Sequence, residues 1–314
     1  MSLTIGVDIG GTKVLAGVVH ENGEVVAQAR RDTPATSPAD TLDRIVEVVD
    51  ELVAKHEVTA VGIGAAGWID ASRSTVLYAP NLAWRNEPLR DEVAKRTKLR
   101  VVVENDANVA AWAEFQFGAA KDADDSMVMF TIGTGIGGGV VLGGQLVRGA
   151  HGIAAELGHV LAVPDGHPCG CGSRGCLEQY ASGKALTRFA QEAIERDSVA
   201  GARLLQEAGG DVTKVTGVMV TEAAQDGDLL ALGAFENAGT WLGRGLSDLA
   251  QILDPQVIVV GGGVIEAGDL LLAPARRAYV ERLAQRANLP VAPIVAAAMG
   301  NTAGVVGAAD LARR

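Results

Sequence analysis

Leu3-Thr4-Ile5-Gly6-Val7-Asp8-Ile9-Gly10-Gly11-Thr12-Lys13-Val14 opens the chain with an apolar-polar alternation that runs into a glycine pair. Strand side chains alternate between two faces. Residues 3–9 therefore predict a strand, Gly10–Lys13 a turn, and Val14–Val19 the returning strand. Glu24–Arg30 predicts a third strand, and the set makes a β-meander, the antiparallel beginning of a mixed sheet.

Beyond it the period changes. Ser37-Pro38-Ala39-Asp40 has the pattern of a helix start, with Ser as N-cap, Pro at the first helical position and an acid two residues later. Leu42, Ile45, Val46, Val49, Leu52 and Val53 then recur on one face of an amphipathic helix. Ala60–Ala65 and Arg100–Val103 predict short buried strands, and Asn105-Asp106 opens a helix reaching to about Gly118. A meander followed by helices and buried strands is an α/β layer architecture.

The plan then starts again. Met127–Ile132 predicts a strand, Gly133–Gly139 a glycine-rich turn, and Val140–Leu142 the return. Helical periodicity follows over 181–196, 222–252 and 267–287. Gln256–Val260 is a largely apolar strand ending in Gly261-Gly262-Gly263, and Thr302–Ala312 predicts a closing helix. Asp8-Ile9-Gly10-Gly11-Thr12 is echoed by Thr131-Ile132-Gly133-Thr134-Gly135. A plan used twice predicts two similar lobes with a cleft between them. Gly118–Asp125 breaks a helix at the boundary. The expected division is a smaller lobe of 1–118 plus 299–314 and a larger lobe of 119–298.

Composition narrows the partners. The 314 residues carry 27 Lys and Arg against 38 Asp and Glu, a net charge of −11. A phosphate backbone needs a basic stripe, so nucleic acid is not expected as partner. Nothing reaches the 18 apolar residues of a membrane span, so no membrane is expected either. The N-terminus shows no basic region followed by an apolar core, so no secretory signal is expected. Glycine accounts for 40 residues, nearly twice the usual share of about 7%, which points to tight turns and close ligand approach.

Two stretches satisfy G-x-G-x-x-G, Gly62–Gly67 and Gly133–Gly138, but neither opens a helix, which excludes a dinucleotide site. Gly11-Thr12-Lys13 reverses the Gly-Lys-Thr order of a P-loop, and a strand follows it. A single such turn reads as a tight hairpin, whereas two of them, with Asp8 and Thr134, favour offering bare N–H groups to an anion. A pair of hairpins can grip one polyphosphate, with Thr12 and Thr134 bonding its oxygens and Asp8 holding a hydrated Mg²⁺. Lys13 fits either a phosphate contact or an exposed salt bridge.

Five motifs occur in order: Asp8–Lys13, Glu104-Asn105-Asp106-Ala107-Asn108, Gly133–Gly138, Glu156-Leu157-Gly158-His159, and Cys169–Glu178 with cysteines at 169, 171 and 176. Together they resemble the ROK family of repressors and sugar kinases, and within it the bacterial ATP-dependent glucokinases. The resemblance covers essentially the whole chain. It implies the two-lobe, actin-like or hexokinase-type ATPase fold, a duplication of ribonuclease H-like domains, and dimers or tetramers. ROK repressors carry a helix-turn-helix ahead of the first strand. Here that strand begins at residue 3, so the module is not expected.

His159, Cys169, Cys171 and Cys176 make a Cys₃His set suited to tetrahedral Zn²⁺, and the resemblance supports the same ligands. Four protein ligands leave no open position, so the metal is expected to be structural, orienting His159 and fixing Glu178. His159 has a second ring nitrogen to offer to substrate. Three cysteines cannot pair fully, and a reducing cytoplasm is the expected compartment.

Sugars need short polar side chains that match each hydroxyl. Asn105-Asp106 lies at a strand-to-helix junction, and either residue can instead cap the helix. The resemblance makes Asp106 the base that takes the proton from the attacking hydroxyl. It completes the sugar clamp with Asn105, Glu156, His159 and Glu178, and places adenosine against Gly261, Gly262 and Gly263. Asn81 is a weaker sugar contact, and Gly67 and Gly138 add backbone N–H groups. The implied reaction is ATP-dependent phosphorylation of a hexose at O6, with D-glucose favoured. N-acetylmannosamine kinase, fructokinase and a non-catalytic sugar sensor remain as alternatives.

Overall fold

The computed structural model describes residues 2–286 and 289–314. Position 287, the last of the helix expected over 267–287, lies outside them. In chain order the elements are β1 (Leu3–Ile9), β2 (Lys13–Val19), β3 (Val25–Asp32), α1 (Pro38–Val53), β4 (Val58–Ala65), β5 (Trp68–Ile69), β6 (Val76–Tyr78) and β7 (Arg85–Glu87). They continue with α2 (Leu89–Thr97), β8 (Arg100–Asn105), α3 (Asp106–Gln116), β9 (Met127–Ile132), β10 (Ile136–Leu142) and β11 (Gln145–Leu146). The remainder is α4 (Glu178–Ala181), α5 (Gly183–Arg196), α6 (Ala202–Glu207), α7 (Gly217–Gln225), α8 (Leu229–Leu253), β12 (Val257–Gly261), α9 (Asp269–Arg282), β13 (Ile294–Ala296) and α10 (Ala303–Arg313).

The duplication foreseen from the glycine turns is written in the strand orders. One sheet runs β3-β2-β1-β4-β8 and the other β11-β10-β9-β12-β13. In the first, β1 pairs antiparallel with β2 and parallel with β4, and β4 is parallel to β8. In the second, β10–β11 is antiparallel and β12–β13 parallel. Both orders place an antiparallel pair at one side of the sheet and a parallel pair at the other, as the repeated plan of a ribonuclease H-like domain requires. The fold class is α/β, that of the two-lobe actin-like ATPases.

The chain divides into two compact units, Met1–Met129 with Gly138–Ala155 and Ala297–Arg314, and Phe130–Gly137 with Glu156–Ala296. In the first, Ile5, Val7 and Ile9 of β1 and Val14, Ala16 and Val18 of β2 are buried with Ile45, Val48, Val49 and Leu52 of α1. On α10, Val305, Val306 and Ala309 join a smaller cluster with Val19 and Ala113. The approach of α10 requires glycine, since a Cβ on Gly6 or Gly62 would overlap the carbonyl oxygen of Val305 or Ala308. Gly138–Ala155 joins this unit through Arg148, whose guanidinium donates to the Ala71 and Asp70 carbonyls at 2.7 and 2.9 Å. In the second unit, α8 buries Phe235, Leu242 and Leu246, and every residue of β12 is buried.

Some local expectations change. The start of α1 stands as read: Ser37 Oγ accepts the N–H of Asp40 at 3.2 Å. The helix expected over 222–252 is two helices, α7 and α8, separated at Gly227, whose φ is +88°. The small sheet β5-β6-β7 and helix α2 were not expected. Strands of 2 or 3 residues are too short to show alternation. No helix among the described residues is long and apolar enough to cross a membrane.

Candidate active site and candidate metal centre

The first glycine turn is braced from outside. The Gly10 N–H donates to the Lys13 carbonyl at 3.0 Å, and Thr33 bonds the Gly10 and Thr12 carbonyls at 2.9 and 3.1 Å. This leaves Gly11 and Thr12 exposed at the tip. A Cβ on Gly11 would stand 3.5 Å from that of the exposed Asn81, so Asn81 borders the turn. Asp8 lies one residue before the end of β1. Burial, and then the charge of Asp106, raise its carboxyl to about 6, while Lys13 pulls it back.

Asp106 begins α3. Burial raises its carboxyl above the ordinary carboxylate range, against the backbone N–H groups of Ala107 and Asp106 and the amide of Asn105. Two carboxylates that repel each other in a partly dry setting are a favourable place for a cation. Asn105 is the helix cap, its Oδ1 accepting the Asn108 N–H at 3.0 Å. Its Nδ2 donates to the Gly67 carbonyl at 3.0 Å and to Asp106 Oδ1 at 3.1 Å. The first unit therefore gathers Asp8, Lys13, Gly67, Asn105 and Asp106. Gly138 is buried within β10.

The second turn has its own bracing. The Gly133 N–H donates to the Gly135 carbonyl at 2.9 Å, and the Gly183 N–H at the start of α5 donates to the Gly133 carbonyl at 2.8 Å. Thr134 is exposed at the tip. Glu178 Oε2 accepts the Ile136 N–H at 2.9 Å, and a Cβ on Gly135 would overlap that carboxylate. Gly262, with φ +90°, lies so close to Ile132 that a Cβ would overlap its backbone, whereas the space above Gly263 is open. Gly133–Gly135, Glu178 and Gly261–Gly263 thus stand together in the second unit.

The cysteine loop folds tightly. The Cys169 N–H donates to the Ser173 carbonyl at 2.9 Å, and the Gly172 N–H to the Cys169 carbonyl at 3.0 Å. His159, Cys169, Cys171 and Cys176 offer ligand atoms that all lie within 4.8 Å of one another. A tetrahedral zinc with Zn–S near 2.3 Å and Zn–N near 2.05 Å requires S···S of about 3.8 Å and S···N of about 3.5 Å. Cys171 Sγ lies 3.7 Å from Cys176 Sγ, and Cys169 Sγ lies 3.6 Å from His159 Nδ1. The residues fit the ion. Burial, with the neighbouring thiols, pushes Cys176 up to about 12. A coordinated cation reverses that tendency, because thiols bind it as thiolates. The other ring nitrogen, His159 Nε2, lies 3.9 Å from Glu156 Oε2.

Buried polar groups beside the site escaped the sequence reading. Glu104 is 1% exposed and pairs with Arg73 and Arg148. Glu114, wholly buried on α3, accepts N–H groups of Ala119, Ala298 and Met299 at 2.7 to 3.0 Å. Glu104 had a signal, its place in Glu-Asn-Asp, but Arg148 is 44 positions away. Nothing local marks it.

The sequence model of the ROK family matches residues 4–314. A glucokinase of Streptomyces coelicolor is 48% identical over 313 residues, which are 100% of this chain and 98% of that protein. A glucokinase of Thermotoga maritima is 38% identical, over 98% of this chain and 96% of its own length. A ROK family glucokinase from Streptomyces griseus, solved with glucose and AMPPNP, superposes with a TM-score of 0.87 at 49% identity, covering 99% of each chain. These matches run from end to end, through both glycine turns and the cysteine loop, and the chain belongs to the ROK family.

Proposed function

We propose that this chain is an ATP-dependent glucokinase, transferring the γ-phosphoryl group of ATP to O6 of D-glucose. The observation that carries the reading furthest is the placement of Asp106 at the head of α3, tied to Asn105 and close enough to Asp8 to raise its carboxyl. The full-length identity with glucokinases supports the same substrate pair.

In this reading Asp106 accepts the proton of O6 as that oxygen attacks phosphorus in line. Phosphoryl transfer is largely positioning and charge neutralisation, so an ionised Asp suffices. Asn105, Glu156, His159 and Glu178, with Asn81 and the backbone at Gly67 and Gly138, hold the hydroxyls. Thr12, Thr134 and the N–H groups of Gly11 and Gly135 grip the phosphates, with Lys13 beside them, while the N–H groups of Gly10 and Gly133 are spent inside the turns and these two glycines serve by shaping them. Gly261, Gly262 and Gly263 leave room for adenosine. Mg²⁺ held by Asp8 supplies neutralisation of phosphate charge when bound. His159, Cys169, Cys171 and Cys176 would hold Zn²⁺ as a structural ion.

We further assign the chain to the cytoplasm as a glycolytic enzyme in a homodimer or homotetramer. In that assignment 1–118 with 299–314 form the smaller lobe and 119–298 the larger. A coupled assay of ADP release over glucose, N-acetylmannosamine, fructose and mannose tests the function. Turnover fastest with glucose supports it. Preference for N-acetylmannosamine or fructose replaces the substrate, and binding without ADP release makes the chain a sensor.

A further inference from the structure

We infer that Glu104 and Arg148 are positioning residues of phosphoryl transfer: the Arg73–Glu104–Arg148 ion triad, built around the buried Glu104 carboxylate, sets the orientation of Asn105 and Asp106. The inference rests on the glucokinase reading.

Glu104 ends β8 next to the proposed catalytic pair, and both of its oxygens are engaged. Oε1 accepts the N–H of Asn105 at 2.9 Å and Nδ2 of Asn108 at 3.1 Å. Oε2 lies 3.1 Å from Arg73 Nε and 2.6 Å from Arg148 Nε. Neither arginine is aligned for a hydrogen bond to Oε2, so the attraction there is ionic. Asn105 and Asn108 are also the two ends of the α3 cap. Glu104 therefore grips the cap at both ends, and the cap residue in turn grips Asp106 Oδ1, which the Ala107 N–H also holds at 2.9 Å.

Arg148 ties this grip to a second segment. Its Nη atoms donate to the Ala71 and Asp70 carbonyls, and a Cβ on Gly152 would overlap the Ile69 carbonyl, so the 148–152 loop lies directly on that segment. Asp70 is itself fixed, accepting the N–H groups of Ser74 and Thr75 at 2.7 and 2.8 Å. Arg73, from the same turn, closes the triad with φ +55°. Gly67, whose carbonyl receives Asn105 Nδ2, lies three residues before Asp70. Asn105 is thus held at two points, its backbone N–H by Glu104 and its side-chain amide by the Gly67 carbonyl. Burying a carboxylate between two guanidinium groups is a costly way to gain stability alone, since well-packed apolar residues commonly do as well. It is an effective way to hold a base within the fraction of an ångström that transfer demands.

The test is steady-state kinetics of Arg148→Ala, Arg148→Lys and Glu104→Gln, well below their unfolding midpoints. The expected result is a kcat lowered roughly 10- to 100-fold with KM for ATP within about twofold, the scale of a misplaced reacting group. Lys is expected to restore little, because it cannot span Glu104 and two carbonyls. Methylguanidinium added to Arg148→Ala is expected to recover part of kcat. If Glu104→Gln does not fold, the Arg148 pair and the rescue decide the matter. Variants that merely melt earlier, with kcat within about twofold of the parent and no rescue, overturn the inference. A parent protein that releases no ADP with any hexose overturns the function instead.

Discussion

Glu178 accepts the Ile136 N–H through Oε2 at 2.9 Å, while its Oε1 stands 3.7 Å from Cys169 Sγ. One carboxylate therefore touches the cysteine cluster and the residue that follows the second glycine turn. Loosening the cluster should be felt at both proposed ligands.

Zinc removal is accordingly expected to weaken glucose and ATP together. Elemental analysis should find about one zinc per chain. Stripping it with a chelator at neutral pH should raise both KM values and lower the melting temperature, and zinc alone should reverse this. Cys176→Ser, which loses a buried ligand, should behave as the stripped protein. Unchanged kinetics in protein shown to be metal-free would remove the ion from the account.

For Asp106→Ala the expectation is a kcat lowered by roughly 10²–10⁴-fold, the usual scale for a lost general base. Glucose affinity, followed by intrinsic fluorescence, should change far less. Asn105→Ala should behave differently. It removes the α3 cap, costing about 1 kcal/mol of stability, and also a proposed sugar contact, so glucose KM should rise. A variant at 106 that keeps most of its turnover contradicts the assignment of the base.

Much of this was legible locally. The alternation of residues 3–9, the Gly10-Gly11 turn and the echo at Thr131–Gly135 foretold a strand, a glycine turn and a return strand in each half, because strand periodicity and turn glycine act over a few residues, whereas the two-residue β11 was not foreseen. Cys169, Cys171 and Cys176 were readable for the same reason, being close in the chain. The two roles open for Asn105, capping and sugar binding, could not be separated in the sequence, and the structure shows the cap. Glu104–Arg148 and Glu114–Met299 were invisible. A buried ion pair between distant segments leaves no periodicity, and Arg148 reads like any surface arginine until the fold turns it inward.

Gly304 supplies a third expectation. It sits in the first turn of α10, and a Cβ there would stand 2.8 Å from Cγ of Asp8. Alanine favours helices over glycine by up to about 1 kcal/mol, so on propensity alone Gly304→Ala should stabilise. The crowding of Asp8 should outweigh that gain, lowering kcat and leaving the fold intact. Gly233→Ala on α8, where a Cβ would meet nothing within 4 Å, is the control. It should gain roughly 0.5–1 kcal/mol with unaltered kinetics. Equal behaviour of the two variants would show that Asp8 has room to move.

The carboxyl of Asp8 sits at about 6 against an ordinary 3.8, so between those values the native chain holds a proton that the unfolded chain has released. Stability from this group falls as pH rises through that window. Above it, the ionised Asp8 costs at most about 3 kcal/mol. Asp8→Asn keeps the shape without the charge. In ligand-free protein it should therefore melt higher than the parent at pH 7.5, with the difference shrinking towards pH 4. The same variant should lose nearly all turnover, because the group proposed to hold the phosphate-bound cation is gone. Melting curves from pH 4 to 8 and one kinetic assay check both halves. A variant no more stable than its parent at pH 7.5 would show that Asp8 ionises there without strain, and the case for a charge-repelling carboxylate pair would fall.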